Sequence, residues 1–152
     1  MERPSSTDAK VQIKPLNRFN WEQATRLELH DYQEDFLPSV LFSIAQSKFE
    51  NLFPYGIFEG EELVGFLMYG EFDAICWISR IMVDKAHQEQ GIGKIALRQL
   101  LDMLRNQPKC KEIRTSFSRK NALAEYFFRS QGFEPIGDGV DKEIVMRFRG
   151  RA

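Results

Sequence analysis

Hydrophobic residues in the middle of the chain fall into short unbroken runs, a pattern typical of strands that are covered on both faces. Runs over 55–59 and 63–69 flank Gly60-Glu61-Glu62, which predicts a hairpin, and a third run covers 75–83. Further strands are predicted around 11–16 and over 112–117, 133–136 and 143–148.

Apolar residues at helical spacing predict the helices. The clearest covers 91–106, with apolar side chains on one face and charged side chains on the other. A second covers 121–131 and is ended by Gly132. Two more are predicted over about 21–32 and 38–49, with an acidic kink, 31–35, between them. The resulting order, β-αα-βββ-α-β-α-ββ, predicts an α/β fold of the α+β type, in which a mixed sheet carries helices on both faces.

The length of 152 residues corresponds to one domain. We expect the polar residues 1–10 to be a flexible N-terminal tail and residues 11–152 to form the domain. Lys and Arg total 21 against 22 Asp and Glu, for a net charge of −1, so the composition gives no electrostatic footprint of nucleic-acid binding. No apolar stretch reaches the roughly 20 residues that a membrane span requires.

The two cysteines, Cys76 and Cys110, are too few for a disulfide framework or a metal-ligand set. A bond between them stays open, and we expect no metal. The first ten residues lack the apolar core of a signal peptide. These observations predict a protein of the reducing cytoplasm that does not engage a membrane.

The segment from Val83 to Lys94 carries the most chemical information. An apolar strand ends at Val83, a polar loop follows, and Gly91 and Gly93 stand at the start of a long helix. Backbone N–H groups at a helix start are unpaired and carry the positive end of the helix dipole, and glycines let a phosphate approach them closely. The pattern therefore predicts a phosphate cradle.

Two familiar phosphate-binding motifs fit this segment poorly. A Walker loop requires a glycine where Gln88 stands and a Ser or Thr where Ile95 stands. Gly91-x-Gly93-x-x-Ala96 does match the dinucleotide fingerprint. That fingerprint follows its strand at once, however, whereas here seven residues separate the strand from the first glycine. Both motifs are therefore disfavoured.

A third motif, Gln88-x-x-Gly91-x-Gly93, resembles the (Arg/Gln)-x-x-Gly-x-(Gly/Ala) loop of the GCN5-related N-acetyltransferase (GNAT) superfamily. Downstream, Asn121-x-x-Ala124 followed by Gly132-Phe133 is similar to the family's second helix, and the likeness covers about residues 55–148. The resemblance implies a mostly antiparallel sheet of about six or seven strands in a single domain. It also implies acetyl-coenzyme A as the acetyl donor.

A closer likeness is to bacterial spermine/spermidine (diamine) N-acetyltransferases, on Pro54-Tyr55-Gly56-Ile57 and on the run from Leu63 to Gly70. It implies transfer of an acetyl group to a primary amine of a small polyamine-like substrate. Many relatives are dimers, so it also suggests a homodimer. Two alternatives stay open: another amine, such as a peptide N-terminus or an aminoglycoside, and a coenzyme A-binding protein with little catalysis.

The resemblance further implies coenzyme contacts by position. The loop 89–94 is expected to hold the pyrophosphate, and the strand end 81–83 is expected to pair with the pantetheine arm. The implied coenzyme-binding residues are Ile81, Met82, Val83, Gln88, Glu89, Gln90, Gly91, Ile92, Gly93, Lys94 and Asn121.

Acidic residues around the predicted kink are the candidates for amine binding. The group consists of Glu28, Asp31, Glu34 and Asp35. Such a cluster attracts a polycation, although a solvated helix end has the same composition. Ser79 joins the candidates because it stands where polyamine acetyltransferases often carry a carboxylate.

The catalytic residues stay unassigned. The family's general acid is commonly a Tyr seven residues after the Asn of the second helix, and Phe128, which cannot donate a proton, stands there. Ser79 is a poor base unless another group activates it. The alternatives are water, a side chain such as Tyr32, Tyr69 or Glu71, or slow catalysis without such a group.

Overall fold

The computed structural model describes residues 10–150, and these build one sheet of seven strands. The strands are β1 (Val11–Pro15), β2 (Leu52–Glu59), β3 (Glu62–Phe72), β4 (Ile75–Val83), β5 (Glu112–Ser118), β6 (Phe133–Asp138) and β7 (Glu143–Phe148). Their spatial order is β1-β2-β3-β4-β5-β7-β6, and every neighbouring pair is antiparallel except β4 with β5. The predicted mixed, mostly antiparallel sheet is thus confirmed. Residues 1–9 of the predicted tail lie outside the described residues.

Helices cover both faces of this sheet, as predicted. They are α1 (Trp21–Ala24), α2 (Asp31–Glu34), α3 (Val40–Phe49), α4 (Ile92–Arg105) and α5 (Ala122–Ser130), with 3₁₀ turns at Lys85–His87 and Val140–Lys142. Successive residues of β3 alternate between two cores: Leu67 packs with α4 and α5, whereas Phe66 and Met68 pack with α1 and α3. None of the helices in the described range is long and apolar enough to cross a membrane.

The core under α4 follows the sequence pattern closely. The helix begins and ends one residue inside the predicted range of 91–106. Its buried residues are Ile92, Ala96, Leu97, Leu100, Leu101 and Leu104. Burial of one leucine side chain contributes about 1.5–3 kcal/mol, so this apolar stripe fixes α4 firmly against the sheet.

The segment before α3 differs from the prediction. One helix over about 21–32 was expected, but α1 spans a single turn and the acidic kink itself holds the short helix α2. The backbone N–H of Glu28 donates to a carboxylate oxygen of Asp84 at 2.9 Å instead of a carbonyl of its own helix. A capping box between His30 and Gln33 then starts α2 as a separate turn. These side-chain bonds compete with a continuous helix and end it early.

Both cysteines are free thiols. Cys76 is fully buried in β4, and Cys110 lies partly buried just before β5. Burial raises the pKa of both thiols, which keeps them protonated near neutral pH.

Candidate active site

Strands β4 and β5 separate after a short parallel stretch. Their register pairs 75–78 with 112–115, and Thr115 Oγ1 donates to the carbonyl of Ile78 at 2.9 Å on the last rung. Beyond that point β5 continues along β7, while residues 79–83 keep β3 as their one neighbouring strand within the described chain. One edge of β4 is therefore open to pair with an extended ligand.

A β-bulge lies at the point of separation. Across β3 the pairing moves from Ile78 directly to Arg80, which leaves Ser79 as the extra residue. The Ser79 hydroxyl donates to the carbonyl of Met68 at 3.1 Å. Bulges bend a strand and re-aim its groups, and they are common beside active sites.

The glycine loop lies at the end of this open edge. Glu89 and Gly91 have positive φ angles of 64° and 79°, and Gly91 is the N-cap of α4. Left-handed residues turn successive backbone N–H groups to one side and create an anion-binding concavity. A glycine cap has no side chain to accept bonds from the first N–H groups of α4. A Cβ added at Gly91 would point into open space, where a phosphate can approach.

One cleft of about 1090 Å³ joins the open edge of β4 to the glycine loop. We call it the β4–β5 cleft, and its lining residues come from within the segments 29–38, 78–83, 87–94 and 115–128, together with Glu143. The family resemblance implied eleven coenzyme-binding residues, and Gln90 lies outside the lining. The others line the cleft: Ile81, Met82, Val83, Gln88, Glu89, Gly91, Ile92, Gly93, Lys94 and Asn121.

Two of these residues, Gln88 and Asn121, use their side chains for hydrogen bonds within the protein. Gln88 Nε2 donates to the carbonyl of Val83 and to Oε1 of Gln33, both at 2.9 Å. Asn121 Oδ1 accepts from the backbone N–H of Ala124 at 3.2 Å and so caps α5. Both carboxamides therefore shape the cleft by holding its backbone in place.

Comparison with known protein families identifies the class of protein that carries this cleft. The family model described as "Acetyltransferase (GNAT) family" matches residues 17–133, which is most of the chain. The chain belongs to this family. It is thus an N-acetyltransferase whose acetyl donor is acetyl-coenzyme A.

Individual relatives of this GNAT enzyme differ in the amine that their names specify. The chain is similar to the probable spermine N(1)-acetyltransferase of Bacillus subtilis subsp. natto (strain BEST195), at 28% identity over 137 residues that cover 84% of this chain and 90% of that protein. Its fold is similar to that of the ribosomal-protein-S18-alanine N-acetyltransferase of Escherichia coli, with 20% identity, a TM-score of 0.73 and coverage of 93% and 96%. It is also similar to that of aminoglycoside acetyltransferase AAC(6')-Ib in complex with coenzyme A, with 18% identity, a TM-score of 0.76 and coverage of 93% and 95%.

The residues of the β4–β5 cleft fit a coenzyme. The unpaired edge of β4 suits an extended arm with amide groups, and the concavity before α4 suits a pyrophosphate. Lys94 and Lys120 also line the cleft and carry positive charges that complement phosphate groups. Within residues 10–150, no cluster of three or more His, Cys, Asp and Glu side chains is arranged to hold a metal ion.

The residues predicted for amine binding divide into two groups. Asp35 and Ser79 line the cleft. Glu28 lies outside the lining, and its carboxylate pairs with Lys85 Nζ at 2.7 Å. Exposed on α2, and also outside the lining, are Asp31 and Glu34. The carboxylate that the predicted set brings to the cleft is therefore that of Asp35.

Phe128 lies between the core and the cleft. Its side chain is 5% exposed, and its ring packs against Phe117, Phe127 and Phe133 at centroid distances between 5.2 and 5.8 Å. The residue also belongs to the cleft lining. An apolar ring without a hydroxyl thus forms this part of the cleft wall.

The three side chains considered for proton transfer lie in different places. Tyr32 lines the cleft and is exposed. Tyr69 packs in the core on the α4 side, where burial raises its pKa to about 12. Glu71 lies outside the cleft lining near the end of β3. Tyr32 is therefore the one of the three that lines the cleft.

Besides Lys120, two charged residues of the cleft were not identified from the sequence. Arg80 is half-buried, and among the described residues its Nε has no hydrogen-bond partner. Burial lowers the pKa of Arg80, and the charge of Glu50 partly opposes this effect. Glu143, the first residue of β7, is the second. The sequence does contain a signal for Arg80, because it is the one charged residue in the apolar run 75–83.

Proposed function

We propose that this enzyme acetylates a primary amine of a polyamine such as spermidine or spermine. The observation that carries the proposal is the pair of carboxylates, Asp35 and Glu143, that line the β4–β5 cleft outside the glycine loop. Two separated negative charges suit a substrate with several ammonium groups. The similarity to a probable spermine N(1)-acetyltransferase supports the same class of substrate.

The proposed coenzyme position uses backbone groups. N–H groups of the loop 89–94 donate to the pyrophosphate oxygens, and the open edge of 81–83 pairs with the pantetheine arm. Lys94 adds a positive charge beside the loop. Acetyl-coenzyme A supplies the thioester whose acetyl group is transferred.

The transfer forms an N–C bond and breaks a C–S bond, so the amine must lose a proton and the thiolate must gain one. Asp35 or Glu143 takes the ammonium proton, directly or through water. The Tyr32 hydroxyl or a water returns a proton to the thiolate, because Phe128 has none to give. A backbone N–H at the open edge of β4 stabilises the oxygen of the tetrahedral intermediate.

Arg80 favours a second candidate, the N-terminus of a peptide. Its Nε–H is buried and has no acceptor within the described residues, and a peptide offers carbonyl oxygens close to its terminal amine. A guanidinium that is partly removed from water is also a poor neighbour for a polycation. Peptide acetylation is therefore the alternative against which polyamine acetylation has to be measured.

A panel of amines tests the proposal. Free thiol release from acetyl-coenzyme A is followed with spermidine, spermine, putrescine, lysine, an aminoglycoside and a tripeptide, and each product is weighed by mass spectrometry. We expect the highest kcat/KM with spermidine or spermine. A preference for the tripeptide would select the second candidate. Tight coenzyme binding without turnover of any amine would contradict both.

Substitutions in the cleft locate the amine side. Asp35→Asn and Glu143→Gln should each lower kcat/KM for spermidine about tenfold, the effect of roughly 1.4 kcal/mol of lost attraction. The matched control is Asp102→Asn, which removes an exposed carboxylate on α4 outside the cleft and should leave the rate unchanged. Wild-type rates in both cleft variants would place the amine elsewhere.

A further inference from the structure

Residues 28–38, which we call the amine wall, include the cleft-lining residues Leu29, Tyr32, Gln33 and 35–38, and hydrogen bonds join this segment to the residues before α4. Glu28 makes three of the contacts. Its N–H donates to Asp84 Oδ1 at 2.9 Å, and its carbonyl accepts from the N–H of Lys85 at 2.7 Å. Its carboxylate pairs with Lys85 Nζ at 2.7 Å.

A pair of glutamine side chains makes the second connection between the amine wall and the residues before α4. Gln33 Nε2 donates to Gln88 Oε1 at 3.1 Å, and Gln88 Nε2 donates to Gln33 Oε1 at 2.9 Å. Each carboxamide is also held by its own backbone: Gln33 Oε1 accepts from the N–H of His30, and Gln88 Nε2 donates to the carbonyl of Val83. The two side chains are therefore fixed in one mutual orientation.

The amine wall depends on such polar contacts more than on burial. All four residues of α2 are exposed or half-buried. The leucines that anchor the wall to the sheet, Leu29 and Leu37, are only partly buried. A segment with few buried apolar contacts opens at low free-energy cost, so the glutamine pair decides much of its position.

The two glutamines belong to different halves of the cleft. Gln88 directly precedes Glu89, the first left-handed residue of the glycine loop. Gln33 lies in α2, between the cleft-lining residues Tyr32 and Asp35. A single side-chain pair thus joins the loop proposed for the pyrophosphate to the wall proposed for the amine.

We propose that Gln33 is a positioning residue that couples coenzyme binding to amine binding. Contacts of a ligand on the glycine loop fix Gln88, and Gln88 through Gln33 fixes the amine wall in its binding position. This inference rests on the proposed function, in which coenzyme occupies residues 89–94. Because linkage is reciprocal, the amine strengthens coenzyme binding by the same factor.

Hydrogen–deuterium exchange of the whole enzyme, with and without coenzyme A, tests the coupling without any choice of amine. In the wild type, we expect coenzyme A to slow exchange at 89–94 and at 28–38. Gln33→Met keeps the length of the side chain but removes its hydrogen bonds. In that variant the slowing at 89–94 should persist, while the slowing at 28–38 should fall on the order of fivefold. The matched control is Gln23→Met, on the exposed surface of α1, which should behave as the wild type.

Three results would overturn the inference. Equal slowing of 28–38 in the wild type and in Gln33→Met would show that the glutamine pair transmits nothing. Slowing confined to 89–94 in the wild type would show that the halves are independent. A lack of slowing at 89–94 would mean that the coenzyme binds elsewhere, and the proposed coenzyme position would fail together with this inference.

A double variant separates coupling from general stability. Gln33→Glu keeps an acceptor for Gln88 Nε2 but loses the donor to Gln88 Oε1, so that two oxygens face each other, and it should weaken the coupling less than Gln33→Met does. Adding Gln88→Lys pairs the new carboxylate with an ammonium group and should restore the slowing at 28–38. If both Gln33→Glu and the double variant behave as the wild type, the side-chain pair has no coupling role.

Discussion

The helix α4 and the segment 21–38, which pack on opposite faces of the sheet, are held in place by different kinds of contact. Under α4, six buried apolar side chains pack in a regular stripe. On the other face, the chain from 21 to 38 has two helices of four residues each, partly buried leucines and polar fastenings such as that between Glu28 and Asp84. Apolar packing thus builds the frame that carries the glycine loop, while polar contacts set the wall that meets the amine.

The largest expected effect is on the packed face. Leu100 is fully buried, and its replacement by Ala should lower the protein's free energy of unfolding by about 2–5 kcal/mol. The same substitution at Leu27, a half-buried residue of the opposite face, should cost about 1 kcal/mol. Urea unfolding of the two variants measures both values. Equal costs would remove the contrast between the faces.

Phe128→Tyr probes the boundary between core and cleft. Because the ring is packed among other phenylalanines, the new hydroxyl should be buried without a partner and cost about 1–3 kcal/mol, with no gain in turnover. Tyr126→Phe, at an exposed position of the same helix, is the control and should change neither property. A stable variant with turnover raised by up to about 10²-fold would instead place residue 128 at the leaving thiolate.

A comparison of Gly91 with Gly60 distinguishes a loss of stability through backbone strain from a loss of coenzyme binding. Gly91 and Gly60 have φ angles of 79° and 63°, and a Cβ at either would point into open space. Replacement of each by Ala should cost about 1–2 kcal/mol of stability, because an L-residue is strained there. Only Gly91→Ala should also weaken coenzyme A binding, by about tenfold in a calorimetric titration. Equal coenzyme affinities of the two variants would contradict the proposed cradle.

The smallest predicted effect is the pH dependence of the stability that the hydrogen bond between Glu28 and Asp84 contributes. Burial raises the pKa of Asp84, but bonds from the N–H groups of Glu28 and Ala86, together with the nearby His87 ring at 3.5 Å, outweigh this and hold the pKa below its usual value. A carboxyl with a lowered folded-state pKa stabilises the fold above its unfolded value of about 3.9. That contribution is lost as pH falls through the folded-state pKa.

Asp84→Asn should therefore destabilise the protein by about 1 kcal/mol at neutral pH. The difference from the wild type should shrink below about pH 4. Urea unfolding at a series of pH values between about 3 and 7 measures it, and a difference that stays constant with pH would contradict the assignment.

The sequence predicted α4 to within one residue at each end because the signal is local. Its apolar residues repeat with the helical period, and Gly91 marks its start. The prediction failed over 21–32 because Leu27 and Leu29 also fit a helical pattern. The carboxylate that breaks this helix belongs to Asp84, which lies 56 residues from Glu28 in the chain.

The candidate site shows the same division between local and distant signals. The glycine loop and the end of β4 are contiguous in sequence, so one motif could point to both. Glu143 reaches the cleft from β7, and no spacing in the sequence connects it with Asp35. Arg80 also requires the fold, because the bulge at Ser79 sets the face of β4 on which it lies.

A crystal structure of the enzyme with coenzyme A would test the central claim most directly. We expect pyrophosphate oxygens within hydrogen-bond distance of the N–H groups of 89–94, the pantetheine arm paired with 81–83, and Asn121 beside the ligand. A pyrophosphate bound away from the glycine loop, with the edge of β4 left unpaired, would contradict it.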